Sequence, residues 1–277
     1  MAEFPFKGPI GVFDSGYGGL TILRSLRSQL PQYDFIYLGD NARAPYGSRS
    51  FELVYRFTLE AVEALFAKGC PLVILACNTA SAKALRSIQQ NDLPGIDASR
   101  RVLGVIRPTV EALPAISSSR HVGVLATPGT VASQSYSIEL RKASPELKVT
   151  EMACPMWVPL VENCETDNEG ADFFVEKYCR QLMTIDLDID TVVLGCTHYP
   201  LLANKIRSKL PQNVSVVEQG SIVAESLADY LRRHPEMETR LTRGASCEYF
   251  TTENPEKFSS LASLFLASPI DAHHISL

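Results

Sequence analysis

Two of the seven cysteines in this 277-residue chain sit in matching surroundings. Cys77 closes the apolar run of VILACNTA, which starts at Val73, and Cys196 closes that of VVLGCTHY, which starts at Val192. A thiolate can act as a base, and a thiol at a helix start feels the positive end of the dipole. That setting is expected to pull its pKa down from about 8.5. A thiolate and a thiol on opposite sides of one carbon could take a proton from one face and deliver one to the other. Inversion of a stereocentre at Cα needs such an arrangement, and mirror-image substrate and product suit a symmetric cleft. Cys70, Cys154, Cys164, Cys179 and Cys247 have no matched partner and read as small buried hydrophobes. An odd count without C-x-x-C spacing argues against a disulfide framework or a zinc ribbon, and no metal site is expected.

Other polar residues cluster at comparable places. His198 lies two residues past Cys196, where it could serve as base for that thiol or as acid for a bound carboxylate. Asp14 could cap a helix, accept a proton or hold an ammonium group, and Asp40 and Glu162 are further acids after apolar runs. Backbone amides and the side chains of Ser15, Asn78, Thr79, Thr127 and Thr197 could hold carboxylates and stabilise charge developing at an α-carbon. The Gly16, Gly18 and Gly19 cluster lacks the full Gly-x-Gly-x-x-Gly spacing and a P-loop lysine, so a dinucleotide site is not expected.

These residues must be carried by the elements between them. Short runs rich in Val, Ile and Leu read as strands at Ile10–Phe13, Asp34–Leu38, Leu72–Leu75, Val102–Val105, Val122–Leu125, Lys148–Met152, Thr191–Leu194, Val214–Val217 and Glu248–Thr251. Helix-length segments separate them, among them Leu20–Leu30, Ser50–Lys68, Ala80–Gln90 and Ile222–His234. This alternation predicts an α/β fold with mainly parallel sheets flanked by helices. The chain also repeats itself in outline: IGVFDSGYGG from Ile10 resembles VGVLATPGTV from Val122, and the two cysteine segments match in the same order. Two pseudo-symmetric lobes facing one cleft follow, with residues 1–100 plus 212–277 in the first and 101–211 in the second. The plainer alternative is one continuous sheet of about nine strands. Ligands of open parallel sheets bind beyond the carboxyl ends of the strands, where the polar residues above fall.

Composition narrows the class. Hydrophobic residues make up 45% and charged residues 21%, typical of a globular protein. A net charge of −5 without a basic run speaks against a nucleic-acid partner. No apolar stretch approaches the roughly 20 residues of a membrane span, and no leader is recognised at the start, so a cytoplasmic setting is expected.

The segments GVFDSGYGGL, YLGDNARAPYG, ACNTASA, TPGTV, VPLVE and LGCTHYPLL resemble the glutamate racemase family of the aspartate/glutamate racemase superfamily, over Ile10 to about Leu231. The resemblance implies two α/β lobes around one cleft, no cofactor, glutamate as small-molecule substrate, a homodimer, and D-glutamate supplied for peptidoglycan. It implies that Cys77 deprotonates D-glutamate and Cys196 L-glutamate, aided by Asp14 and His198 respectively, with Glu162 as an assisting acid. It places substrate contacts at Asp14-Ser15, Tyr46-Gly47, Asn78-Thr79 and Thr197-His198. Two segments depart from the usual pattern, around Arg107 and Thr109 and at Val217-Glu218-Gln219-Gly220, and leave lobe packing and regulation open. The short N-terminal arm implies no activator site built on an extension. Competing expectations are a racemase for aspartate or a hydantoin, a two-lobe binding protein without catalysis, and a cysteine hydrolase using Cys196 and His198. The hydrolase leaves Cys77 without a task.

Overall fold

A computed structural model describes residues 6–277 and divides the strands between two sheets rather than one. The strands are β1 (Ile10–Asp14), β2 (Phe35–Gly39), β3 (Leu72–Leu75), β4 (Arg101–Gly104), β5 (His121–Ala126), β6 (Lys148–Ala153), β7 (Thr191–Gly195), β8 (Ser215–Val217), β9 (Cys247–Thr251) and β10 (Ala272–His274). The first sheet runs β10-β9-β2-β1-β3-β4 and the second β6-β5-β7-β8. Every pairing is parallel. The central strands β1, β2, β3 and β7 are buried along their whole length, as strands covered by helices on both faces must be.

The helices between them are α1 (Leu20–Gln29), α2 (Phe51–Ala67), α3 (Asn78–Lys83), α4 (Ile106–Ile116), α5 (Pro128–Ser133), α6 (Ser135–Ala143), α7 (Trp157–Glu162), α8 (Glu169–Ile185), α9 (Ala203–Lys209), α10 (Gln219–Arg233) and α11 (Pro255–Leu266). Strand order carries the repeat: β2-β1-β3-β4 of one sheet corresponds to β6-β5-β7-β8 of the other. In each half the cysteine follows the strand next to the central one.

Sheet membership differs from the expected lobe boundaries at both crossings. Residues 101–104 form β4 and pair with β3, so they belong to the first sheet, not to the second lobe. Residues 215–217 form β8 and pair with β7 of the second sheet, after which β9 and β10 return to the first. The reason is that each half completes a four-strand unit before the chain crosses, whereas the expected cuts were set at polar turns. Three of the labelled elements went unforeseen: α4 was hidden by Pro108 and Pro114, α7 is only six residues long, and β10 is a three-residue edge strand. The expected helix over Ala80–Gln90 is broken: α3 ends at Lys83, where Ala84 departs from helical φ at −115°, and short helical pieces run on to Asp97, the last with Pro94 in its first turn.

Candidate active site

Cys77 and Cys196 are both buried, each directly beyond β3 or β7 at the carboxyl ends of its sheet. Cys77 is the N-cap of α3, and its Sγ accepts a hydrogen bond from the Ala80 N–H at 3.4 Å. The Ser15 hydroxyl lies 3.5 Å from the same sulfur. Burial, reinforced by the negative charge of Asp14, pushes the Cys77 thiol up to about 12 despite those two hydrogen bonds, and Cys196 adds to the rise. The expected lowering by a helix dipole is therefore reversed here: α3 has only six residues, and desolvation outweighs it.

The surroundings of Cys196 are of another kind. Nδ1 of His198 lies 3.9 Å from its sulfur, and Nε2 of the same ring is 3.0 Å from Oε1 of Glu162. Burial opposes charge on this imidazole, but hydrogen bonding to Cys196 and Glu162 overcomes it and pushes His198 up to about 10. Glu162 ends α7, whose Trp157 packs edge-on against Tyr199 with ring centroids 4.7 Å apart. The Tyr199 hydroxyl donates to the Cys154 carbonyl at 3.2 Å, so one aromatic contact ties the acid's helix to the loop that carries His198. No helix begins directly at Cys196. A 3-10 turn over Tyr199–Leu202 follows it, so its distinguishing neighbour is the histidine and not a helix dipole.

Hydroxyl groups near the cysteines join the two halves. The Thr79 and Thr127 hydroxyls are 3.0 Å apart, the Thr197 hydroxyl donates to Oδ2 of Asp14 at 3.3 Å, and the Thr21 hydroxyl donates to the Thr197 carbonyl at 3.1 Å. Asp14 is wholly buried. Desolvation raises its carboxyl pKa against the lowering effect of His198, the Gly16 and Gly19 N–H groups and Thr197. Gly18 explains the glycine cluster, since a Cβ there would lie 2.2 Å from the Thr197 hydroxyl and 2.6 Å from Nδ1 of His198. The first-lobe loop can approach the second cysteine's neighbours only without a side chain at that position.

The remaining candidates separate into those at the cleft and those in its walls. Asn78 and Thr79 open α3 beside Cys77, and Gly47 accepts a backbone hydrogen bond from Gly129 at 2.8 Å across the lobes. The Tyr46 side chain, by contrast, packs between Phe13 and Phe57, and its hydroxyl donates to Asp40. Asp40 also holds Arg43 at 2.7 Å and Thr252 at 2.8 Å, which makes it a brace for that loop. Cys70, Cys154 and Cys179 are buried in apolar cores, while Cys247 is half-buried and Cys164 exposed. Among the described residues, His121, Asp186 and Asp188 form a group with metal-ligating atoms. It lies at the amino ends of the strands, where Lys148 already neutralises Asp186 at 3.1 Å.

A family model described as Asp/Glu/Hydantoin racemase matches residues 12–227. The chain belongs to that family. A glutamate racemase from Ruegeria sp. is 41% identical over 94% of this chain and 97% of its own length. The crystal structure of a glutamate racemase isoform from Bacillus anthracis superposes with a TM-score of 0.88 at 34% identity, covering 98% of both chains. A Francisella tularensis glutamate racemase solved with D-glutamate gives a TM-score of 0.85 at 30% identity, again over 98% of each chain. The matched fold is the two-sheet α/β arrangement described above, and among the described residues no helix is long and apolar enough to cross a membrane. Sequence reasoning missed Gly18 as a packing requirement, together with Tyr136 and Gln219, whose side chains meet Asn78. Gln219 had drawn notice only as a departure from the usual pattern.

Proposed function

We propose that this chain interconverts L- and D-glutamate by moving a proton at Cα between Cys77 and Cys196. The observation that carries the reading is the pair of buried cysteines at corresponding strand ends, one beside Ser15 and Asp14, the other beside His198 and Glu162. From L-glutamate, the Cys196 thiolate takes the α-proton and becomes a thiol. The Cys77 thiol then gives its proton to the opposite face and is left as thiolate. D-glutamate runs the same steps backwards. Glu162 accepts from Nε2–H of His198, and an imidazole pushed up to about 10 presents its Nδ1–H to the sulfur, where it stabilises the Cys196 thiolate. A Cys77 pushed up to about 12 is held as the acid this direction needs.

Ser15, Thr79, Thr127, Thr197 and the Asn78 amide supply hydrogen bonds to the carboxylates and to charge developing at Cα. The substrate assignment follows the relatives at 41% and 34% identity, which are named for glutamate. The same reading places the enzyme in the cytoplasm as a homodimer supplying D-glutamate for peptidoglycan, and sedimentation at assay concentration checks the dimer.

Incubation of the metal-free protein with L-glutamate in deuterated water, without pyridoxal phosphate, should yield D-glutamate deuterated at Cα. Preference for L-aspartate or a hydantoin in parallel assays would reassign the substrate. Loss of activity on adding a chelator would refute a reaction carried by the two thiols alone.

A further inference from the structure

The amide of Asn78 is held in a closed ring of hydrogen bonds contributed by distant segments of the chain. Asn78 Nδ2 donates to Oε1 of Gln219 at 2.6 Å, Gln219 Nε2 donates to the Tyr136 hydroxyl at 2.9 Å, and that hydroxyl donates to Oδ1 of Asn78 at 2.7 Å. The second hydrogen of Gln219 Nε2 reaches the Thr109 hydroxyl at 2.8 Å, and that hydroxyl donates to the Val105 carbonyl at 2.8 Å. All four side chains are buried, Tyr136 and Thr109 completely. Every donor in the ring meets an acceptor, and the Val105 carbonyl, 3.4 Å from Gln219 Nε2, favours the nitrogen over the oxygen on that side and so sets the sense of the ring. Rotating the Asn78 amide would set its oxygen against the Gln219 oxygen and its nitrogen against the donating phenol.

Three elements converge on this one amide. Tyr136 comes from α6, Gln219 is the first residue of α10, and Thr109 lies on α4. Asn78 is the residue after Cys77 and the first of α3, so holding its side chain also fixes the turn whose N-cap is the thiol. One Asn78 Nδ2 hydrogen remains for another acceptor.

We propose that Tyr136 and Gln219, supported by Thr109, are positioning residues that set the Asn78 amide and the adjoining Cys77 turn for substrate. The proposal rests on the reading of Asn78 as a substrate contact. The two sequence departures, at Thr109 and Gln219, are thereby one device: a glutamine long enough to bridge from α10 to Asn78, and a hydroxyl placed to satisfy its second donor.

The test is a double-mutant cycle on glutamate racemisation with N78A, Y136F and the combination, accompanied by Q219M. Loss of one buried hydrogen bond is expected to raise KM in Y136F by about tenfold. The kcat should change less, and N78A/Y136F should match N78A within about twofold, because Tyr136 acts through Asn78. Q219M should reproduce the KM effect of Y136F. Multiplying effects in the double variant, or a lowered Tm with KM unchanged, would overturn the assignment and leave the ring a packing feature. A raised KM in N78A itself, against the parent in the same assay, checks the underlying reading of Asn78 separately. Independently of turnover, the Asn78 side-chain amide resonance, identified by its loss in N78A, should exchange slowly in the substrate-free protein and much faster in Y136F. Fast exchange in the parent would overturn the proposal even if glutamate were not the substrate.

Discussion

The two halves of the cleft share a backbone plan and differ in their chemistry. β1 and β3 of one sheet correspond to β5 and β7 of the other, and each pair is followed by a hydroxyl and a cysteine: Ser15 with Cys77, and Thr127 with Cys196. The residue before the hydroxyl breaks the match. Asp14 ends β1, whereas Ala126 ends β5, so only the first half places a buried carboxylate near its thiol. The second half places a histidine two residues after its cysteine and an acid behind the histidine. A duplicated backbone thus fixes where two thiols stand, and a few side chains give each thiol different neighbours. Interconversion of enantiomers does not require matched chemistry on the two sides. Because L and D forms have equal free energy in water, kcat/KM must be equal in both directions for any variant, and asymmetry can appear only in the separate kcat and KM values.

The largest effects belong to the thiols. C77S and C196S should each lower racemisation by at least about a thousandfold, within the range of general acid–base catalysis. Solvent deuterium exchange sharpens the comparison. C77S should still exchange the α-proton of L-glutamate more readily than that of D-glutamate, and C196S should show the reverse, read by proton NMR. Equal loss of exchange for both enantiomers in both variants would break the division of labour.

Smaller losses are expected one position back. H198N should lower kcat/KM by about a hundredfold and D14N by roughly tenfold, since the imidazole is within reach of sulfur while Asp14 hydrogen-bonds to Thr197 and Gly16 instead. E162Q removes one of the partners that raise His198, so the alkaline limb of the kcat/KM profile should move to lower pH than in the parent. The sign follows from a folded pKa of about 10 against an ordinary 6.5: charge on His198 stabilises the fold fully below about 6.5 and ceases to do so as pH rises toward about 10. An unmoved limb in E162Q would mean that another group governs the alkaline side.

Much of this plan was legible in the residues because it rests on local patterns. Buried parallel strands announce themselves as apolar runs, and nine of the ten strands fall within a few residues of their expected places. Cys77, Cys196 and His198 could be singled out because strand ends in a parallel sheet are where chemistry collects. What could not be read depends on contacts between distant segments. The pairing of β4 with β3 and of β8 with β7 moved the lobe boundaries, and no local signal carries that pairing. The ring around Asn78 joins residues up to 141 positions apart, so Gln219 looked like a mere departure. The thiol at a helix start suggested a low pKa for Cys77, but the shortness of α3 and the depth of burial were not visible in the spacing.

Tyr46 offers the mildest and most discriminating test of how the first half differs from its counterpart. The resemblance placed Tyr46-Gly47 among substrate contacts, yet the phenol donates to buried Asp40 and packs against Phe13 and Phe57. If the backbone of this loop serves the site while the side chain serves the wall, Y46F should leave KM for glutamate within about twofold. The carboxylate of Asp40 keeps Arg43 and Thr252, so the lost hydrogen bond should cost about 1 kcal/mol. In a chain of this size that corresponds to a Tm lower by roughly 2–4 °C, measurable by calorimetry. A KM raised with Tm unchanged would return the phenol to the cleft. In that event the two halves would differ in a substrate contact as well as in the neighbours of their thiols.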